Sequence, residues 1–309
     1  MGDLTAITDA VTDAHCVAVE TFLCEQKIKP QMMDLVGFHG QTVFHAPERK
    51  ITRQLFNGPR AAARLGTDVV SQFRTADVAS GGQGAPLAPL YHRALVEASS
   101  LPLPLVVLNL GGVANVTFIG RDEILAFDTG PASALLDDFV RMRRGEAFDR
   151  DGALAEQGRV DASLLHRFLA HEYFKKPPPK SLDRNAFHEW MVWVAPLSDV
   201  DGAATLTAFT IESIAAALHH FPSAPTRWLV GGGGRHNAYL MQRLRHRLGI
   251  PVDPVEAVGW KGDTLEAECF GWLAVRSLKG LPLSLPSTTG VPYPMTGGEI
   301  SRVRMEERA

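Results

Sequence analysis

The chain has 309 residues, of which 45% are hydrophobic and 21% are charged, and its formal net charge at pH 7 is −3. This composition excludes a disordered or membrane-spanning chain, and the small negative charge excludes a basic surface for nucleic acid. Its cysteines, Cys16, Cys24 and Cys269, form no Cys-x-x-Cys pair, which argues against a disulfide framework and a zinc site.

No apolar run is long enough to cross a bilayer, and the first residues lack the charged and apolar regions of a signal peptide. We therefore expect a soluble cytoplasmic protein with neither membrane nor nucleic acid as a partner. The length favours two lobes over one simple core.

Helices and strands are predicted to alternate along the chain, which indicates an α/β fold. A helix over 203–220 is predicted to be capped by Asp201, and Gly66 is predicted to end an earlier helix. The tail 281–298 is rich in Pro and Gly and is predicted to wrap a surface. The remaining predicted elements are a helix over 3–27, a strand and glycine turn in 34–45, a strand over 68–73, a helix over 88–98, strands in 103–112 and 114–127, a helix over 133–145, an irregular segment over 174–185, a strand over 227–230, and helices over 236–248 and 263–280.

Two glycine clusters follow predicted strands. Gly111 and Gly112 lie between two strands, where a side-chain-free backbone can approach a phosphate or can simply form a tight turn. Gly231–Gly234 lies between a strand and a helix, a place where nucleotides bind in α/β proteins. It lacks the spaced Gly-x-Gly-x-x-Gly fingerprint, so a dinucleotide site is only weakly indicated.

Asp128 follows the apolar run 124–127 and precedes Thr-Gly-Pro. We expect it to emerge at a strand end, where functional sites of α/β folds gather. An ionised carboxylate there can accept a proton from water or from a sugar hydroxyl. The same residues also favour a plain turn, and from the local sequence the two interpretations are equally supported.

Several motifs follow one another along the chain: GFHGQT, FRTADVASGGQGAPL, LNLGGVANV, FDTGP, PPPKSLDR, GGGGRHN, GDTLEA and LPLSLPSTTG. In this order they resemble the anhydro-N-acetylmuramic acid kinase family over about residues 34–298. The resemblance implies an actin/hexokinase-like fold of two ribonuclease-H-like lobes with ATP between them. It also implies a homodimer, and Mg²⁺ is expected with the ATP. The implied division is 1–86 plus 287–309 for the first lobe and 87–286 for the second.

The implied reaction opens 1,6-anhydro-N-acetylmuramic acid with water while its O6 takes the γ-phosphate of ATP, giving N-acetylmuramic acid 6-phosphate in cell-wall sugar recycling. By the resemblance Asp128 is the general base. The implied ATP-binding residues are Asn109, Gly111, Gly112, Gly231, Gly232, Gly233 and Gly234.

For the sugar, the resemblance implies His39, Gln41, Arg74, Gln83 and Glu266. Arg74 can clamp the lactyl carboxylate through two contacts, or it can form a surface ion pair with Asp77. Glu266 can instead favour the dipole of its own helix, and His39 can be a buried hydrogen-bonded residue. Gln83 can simply satisfy the backbone of its glycine-rich loop.

The sequence also departs from the family. The family's opening strand and its Gly-Thr-Ser-x-Asp-Gly phosphate loop are predicted to be missing, so the first lobe is expected to be truncated at its N-terminus. Gln72 and Ser133 replace an aspartate and an asparagine common in the family. Two hypotheses follow: a working kinase whose chain starts at an internal methionine, or a degenerate member that binds sugar or a partner without phosphoryl transfer.

Overall fold

The computed structural model describes residues 4–303 as helices that alternate with strands. The strands are β1 (Val36–Gly37), β2 (Gln41–Ala46), β3 (Ile51–Leu55), β4 (Val69–Ser71), β5 (Leu105–Leu110), β6 (Val113–Ile119), β7 (Ile124–Pro131), β8 (Arg227–Gly231), β9 (Val252–Pro254) and β10 (Glu299–Ser301).

The α-helices of this described part are α1 (Thr5–Glu25), α2 (Gly58–Leu65), α3 (Thr75–Ala79), α4 (Pro89–Ala98), α5 (Ser133–Arg144), α6 (Ala153–Gln157), α7 (Ala162–Leu169), α8 (Glu172–Lys175), α9 (Met191–Val194), α10 (Asp199–Ala215), α11 (Ala238–Leu248), α12 (Leu265–Leu278) and α13 (Pro286–Thr289). Short 3₁₀ helices connect several of them. The predicted α/β class is confirmed.

The chain forms two compact units: Met1–Tyr91 with Glu266–Ala309 is the first, and His92–Leu265 is the second. The division predicted from the sequence placed its boundaries at 86/87 and 286/287, and it stays a prediction beside this contact-based one. In residues 4–303, no helix combines the length and the apolar character that a bilayer crossing requires.

The first unit is built around β4, which pairs with β1 in parallel and with β10 in antiparallel orientation. A separate hairpin joins β2 to β3. Helix α2 begins where the Asn57 side chain accepts the Arg60 N–H at 3.1 Å, and it ends at Gly66, whose φ of 64° suits glycine. The core of this unit buries Cys16, Phe38, Phe56, Ala61, Ala62, Leu65 and Val69.

The second unit contains one sheet of order β7-β6-β5-β8-β9. Strands β5, β6 and β7 form an antiparallel meander, whereas β5, β8 and β9 are parallel. Because β5 is covered on both faces, it reads as a continuous apolar run, with Val106 and Leu108 fully buried. The sheet thus places the ends of β5 and β8 side by side.

A second core of this unit is aromatic and surrounds Phe209 of α10. Phe168 stacks on Trp190 at 4.9 Å between ring centroids, and Phe187 lies 4.3 Å from Trp190. Such ring pairs stabilise by about 0.5–1.5 kcal/mol beyond their burial. This core fixes the segments between α8 and α10, which include the irregular stretch predicted over 174–185.

Several predicted elements are confirmed, and others differ. Helix α1 and the cap Gly66 are as predicted, but α10 begins at Asp199 behind Ser198, whose Oγ accepts the Asp201 N–H at 3.2 Å. Asp201 instead accepts the Arg159 N–H at 2.7 Å, so its prediction as the cap was wrong. The tail holds α13 and β10. Strand β3 and the helices α3, α6, α7 and α9 were not predicted.

Candidate functional site

Both predicted glycine turns lie at one edge of the sheet of the second unit. Strands β5 and β8 are parallel, and their register pairs Asn109 with Gly231. Gly232 has a φ of +77°, and a Cβ on it would lie 2.5 Å from Asn109 Oδ1 and 2.6 Å from the Leu110 carbonyl oxygen. A Cβ on Gly111 would lie 3.4 Å from the Asn109 amide nitrogen. The Asn109 side chain therefore lies between the two turns.

The Gly111–Gly112 turn is fixed against the start of α5. The Gly111 carbonyl accepts the Ser133 N–H at 3.0 Å, and the Gly112 carbonyl accepts the N–H groups of Ala132 and Ala134 at 3.0 and 3.2 Å. The N-terminus of a helix attracts anions, because its N–H groups and its dipole point toward them. The N–H groups of Ala132, Ser133 and Ala134 are engaged by the turn, so an anion at this end of α5 would be attracted by the helix dipole and by N–H groups other than these three.

A cavity of about 560 Å³ lies beside the second turn, within the usual size range of ligand pockets. A Cβ on Gly233 would meet no atom within 4 Å, so this glycine leaves open space. Burial raises the pKa of Asp137 in the cavity wall, against a hydrogen bond from Ser133 that lowers it. The lining residues are Leu110, Ala132, Ser133, Leu136, Asp137, Phe148, Asp149, Arg150, Asp151, Gly233, Gly234, His236, Asn237 and Leu240.

Sequence reasoning missed most of that lining. Asp137 and Phe148 belong to α5 and to the loop after it, and Asn237 caps α11 by accepting the Leu240 N–H at 2.9 Å. Asp151 and Gly152 have positive φ values of 57° and 74°, so the Asp-Arg-Asp-Gly stretch was the local signal for a tight loop here.

Asp128 lies inside β7, so the prediction that it emerges after the strand was wrong. Its side chain is buried, and Oδ2 accepts the Leu182 N–H at 2.7 Å. Its own N–H donates to the Lys180 carbonyl at 3.0 Å. The strand continues because its pairing with β6 resumes beyond a register irregularity between Ala114 and Asn115 and reaches Pro131.

The segment that contacts Asp128 is itself anchored. The Tyr173 hydroxyl donates to the Asp128 carbonyl at 2.6 Å, and the Lys180 Nζ donates to the Tyr173 carbonyl at 3.1 Å. Burial lowers the pKa of Lys180 to about 8, and the charge of Lys176 acts in the same direction. Burial raises the pKa of Tyr173, and the Asp128 charge adds to that increase. This support fixes the position of the Asp128 carboxylate.

The predicted sugar residues all lie in the first unit. His39 and Gln41 flank Gly40, whose φ of +67° forms the turn between β1 and β2. The His39 ring lies 5.1 Å from that of Phe270, and desolvation lowers its pKa while the charge of Glu266 raises it. Glu266 is exposed in the first turn of α12. The fold thus brings the β1–β2 turn close to the start of α12.

Gln83 belongs to the glycine-rich loop 81–84, and Arg74, which directly precedes α3, contacts that loop. Arg74 donates through Nη1 to the Gly84 carbonyl at 2.6 Å, and the Gln83 N–H donates to the Thr289 carbonyl at 2.6 Å. Gln41 donates through Nε2 to the Thr42 carbonyl at 3.3 Å.

Asp77, which sequence reasoning treated only as a partner for Arg74, holds this loop in place. It is 2% exposed and accepts hydrogen bonds from the Gly84 N–H at 2.7 Å, from Thr289 Oγ1 at 2.6 Å, and from Ser284 Oγ. These donors satisfy the oxygens of the buried carboxylate and offset the cost of its burial. Asp77 therefore ties the loop to the tail segment 284–289.

We expect Asp77→Asn to lower the free energy of unfolding by about 1–3 kcal/mol, because the amide NH₂ cannot accept from the hydroxyls of Ser284 and Thr289. Urea unfolding followed by circular dichroism measures the loss. Asp34→Asn, at an exposed position of the same unit, is the control and should change stability by less than about 0.5 kcal/mol. Equal stability of the two variants would contradict the role given to Asp77.

In residues 4–303, no three His, Cys, Asp or Glu side chains come together as metal ligands. This arrangement is compatible with an ion held chiefly by phosphate oxygens and water, as Mg²⁺ commonly is beside nucleotides.

The family model for anhydro-N-acetylmuramic acid kinase matches residues 2–302 of the chain. An anhydro-N-acetylmuramic acid kinase of Methylobacterium nodulans is 51% identical over 302 residues, covering 97% of this chain and 80% of the relative. One of Rhodospirillum rubrum is 53% identical, covering 93% and 76%. A solved ROK family glucokinase from Streptomyces griseus has a TM-score of 0.43 at 15% identity, covering 87% of this chain and 88% of that chain.

Proposed function

The chain belongs to the anhydro-N-acetylmuramic acid kinase family, and we propose that it opens 1,6-anhydro-N-acetylmuramic acid with water while phosphorylating its O6 from ATP. The product is N-acetylmuramic acid 6-phosphate, which returns cell-wall sugar to metabolism. The proposal also includes the actin/hexokinase-like fold, a cytoplasmic location and a homodimer. The observation that carries it is one sheet bearing a fixed carboxylate, Asp128, and two glycine turns beside a nucleotide-sized cavity.

Asp128 supplies the general base. A water oxygen attacks the anomeric carbon of the sugar, and the carboxylate takes the proton that this water loses. The bond between the anomeric carbon and O6 breaks, and its electron pair stays on O6. General bases of this kind contribute about 10²–10⁴-fold when their position is fixed, and the N–H of Leu182 holds the Asp128 oxygen in place.

The two glycine turns form the nucleotide-binding part of the proposed site. ATP provides the phosphoryl group that O6 takes, and the bond to the ADP leaving group breaks as the new one forms. Phosphoryl transfer depends on position and charge neutralisation more than on covalent help. Gly111 and Gly112 would face the phosphates, and the Gly231–Gly234 loop with its cavity would hold the adenosine. Mg²⁺ would neutralise phosphate charge.

The sugar side lies in the first unit. Arg74 has five N–H donors, and its contact with the Gly84 carbonyl sets the direction of the guanidinium for the lactyl carboxylate. His39, Gln41, Gln83 and Glu266 would provide polar contacts to the sugar ring. The lowered pKa of His39 favours a neutral imidazole, which can both donate and accept a hydrogen bond.

A coupled ADP-release assay with the purified chain tests the proposal. We expect turnover with ATP and 1,6-anhydro-N-acetylmuramic acid, and mass spectrometry should show a product that has gained both a phosphoryl group and water. Glucose and ring-opened N-acetylmuramic acid are the control substrates. Sugar binding without turnover would overturn the kinase proposal in favour of a degenerate binding protein.

The missing Gly-Thr-Ser-x-Asp-Gly loop stays a prediction from the sequence. Running the same assay on a longer chain that carries such a loop measures what that loop contributes.

A further inference from the structure

Arg184 lies against the Gly111–Gly112 turn. A Cβ on Gly112 would sit 3.8 Å from Arg184 Cδ and 3.9 Å from its Cγ. The stem of the arginine thus packs beside the turn, while 59% of its side chain stays exposed. Long cationic side chains commonly lay their apolar stem on a surface and keep the charged head in water. A phosphate held at this turn would come within reach of that head.

One carboxylate keeps the guanidinium near the turn without holding it tightly. Arg184 Nη2 lies 3.7 Å from Asp138 Oδ1, which is longer than a hydrogen bond. Asp138 also pairs with Arg141 at 3.1 Å and with His188 Nδ1 at 3.7 Å. Exposed pairs of this kind are worth about 0–1 kcal/mol, so an incoming phosphate can compete for the arginine.

The position of Arg184 is also tied to Asp128. The N–H that binds the Asp128 carboxylate belongs to Leu182, two residues before Arg184. Asp138 belongs to α5, whose first turn binds the Gly111 and Gly112 carbonyls. Arg184 is therefore anchored through Leu182 on one side and through Asp138 on the other. Our proposed function assigns the region between them to phosphoryl transfer.

We propose that Arg184 is a further catalytic residue, whose guanidinium contacts the terminal phosphate oxygens of the bound nucleotide. This inference rests on the proposed nucleotide assignment of the Gly111–Gly112 turn. The planar fork of arginine matches phosphate oxygens and carries a permanent charge. In phosphoryl transfer, such a charge stabilises the oxygens as the terminal group leaves.

Arg184→Met keeps the stem and removes the charge. We expect it to lower kcat for the anhydro sugar about 100-fold. Calorimetry without sugar should show about ten-fold weaker binding of a non-hydrolysable ATP analogue and little change for ADP. Arg184→Lys should regain part of the analogue affinity but less of kcat, because an ammonium group lacks the fork.

Arg141→Met is the matched control, because it removes another arginine from the same carboxylate of Asp138. It should leave kcat and both affinities unchanged. Thermal unfolding of all variants should match the wild type, since both side chains are exposed.

Unchanged analogue binding and unchanged kcat in Arg184→Met would overturn the inference alone, with the proposed function intact. A wild-type chain that does not turn over the sugar, together with weakened analogue binding in Arg184→Met, would support the phosphate contact and overturn the proposed function. A wild-type chain that binds no nucleotide would overturn both.

Discussion

Replacing Asp128 with asparagine is expected to lower kcat for 1,6-anhydro-N-acetylmuramic acid by about 10³-fold, within the range that removal of a general base costs. The amide cannot take the proton that the attacking water must lose. Its shape is almost that of the carboxylate, and its oxygen can still accept the Leu182 N–H that Asp128 accepts at 2.7 Å. The coupled ADP assay measures the loss, and calorimetry should find nucleotide affinity close to that of the wild type.

Asp253→Asn is the control for this experiment. Asp253 belongs to β9 of the same sheet and pairs with Arg227 at 2.9 Å. Its replacement should change stability slightly and kcat hardly at all. Near-normal turnover in Asp128→Asn would remove Asp128 from the mechanism, whereas turnover lost together with the cooperative unfolding transition would assign it a structural role.

Replacing Gly232 with alanine is expected to lower the free energy of unfolding by about 2–6 kcal/mol. A backbone with a φ of +77° and a ψ of 168° lies in a region occupied almost only by glycine and costs an L-residue about 1–3 kcal/mol, and forcing a methyl group into packed atoms costs about 1–3 kcal/mol. The nearest atoms are the Asn109 Oδ1 and the Leu110 carbonyl oxygen. Since the latter is backbone, the end of β5 must shift. Urea unfolding measures the change, and nucleotide affinity should fall with it.

The adjacent Gly233 provides the matched control. It has no positive φ, and a Cβ there would meet nothing within 4 Å. Gly233→Ala should therefore unfold like the wild type and report only on the open space beside the loop. Equal destabilisation of both variants would show that the loop is sensitive to any added atom, contrary to the packing described above.

Local patterns in the sequence were sufficient to predict much of the second unit. The apolar run of β5, the strands within 114–127 and the glycine clusters at the ends of β5 and β8 were all recognised. Each of these signals lies within a few residues, because strand burial and turn conformation are set by neighbouring side chains. The family resemblance added the residue roles, and the family itself is confirmed.

Features that depend on distant partners were missed or misplaced. Strand β10 forms because β4 offers it an edge more than 200 residues away along the chain, which no local pattern reports. Asp128 was placed at a strand end because a polar residue after an apolar run normally ends a strand. The continued β6 pairing and the Leu182 N–H keep it inside β7 instead.

The cavity lining and the burial of Asp77 also depend on residues that are far apart in the sequence. Asp137, Phe148 and Asn237 come from separate elements, and only the packing of α5, its following loop and α11 brings them together. Asp77 precedes Gly81–Gly84 and looks like an exposed helical acid, whereas its partners come from residues 284 and 289. Its burial follows from the return of the tail to the first unit.

The return of the tail to the first unit affects the order in which the two units can fold during translation. The second unit is one unbroken stretch, whereas the first joins residues on both sides of it. A ribosome releases 92–265 before 266–301, so the second unit can close during translation while β4 still lacks β10. The first unit is completed last, although its helix α1 emerges before any part of the second unit.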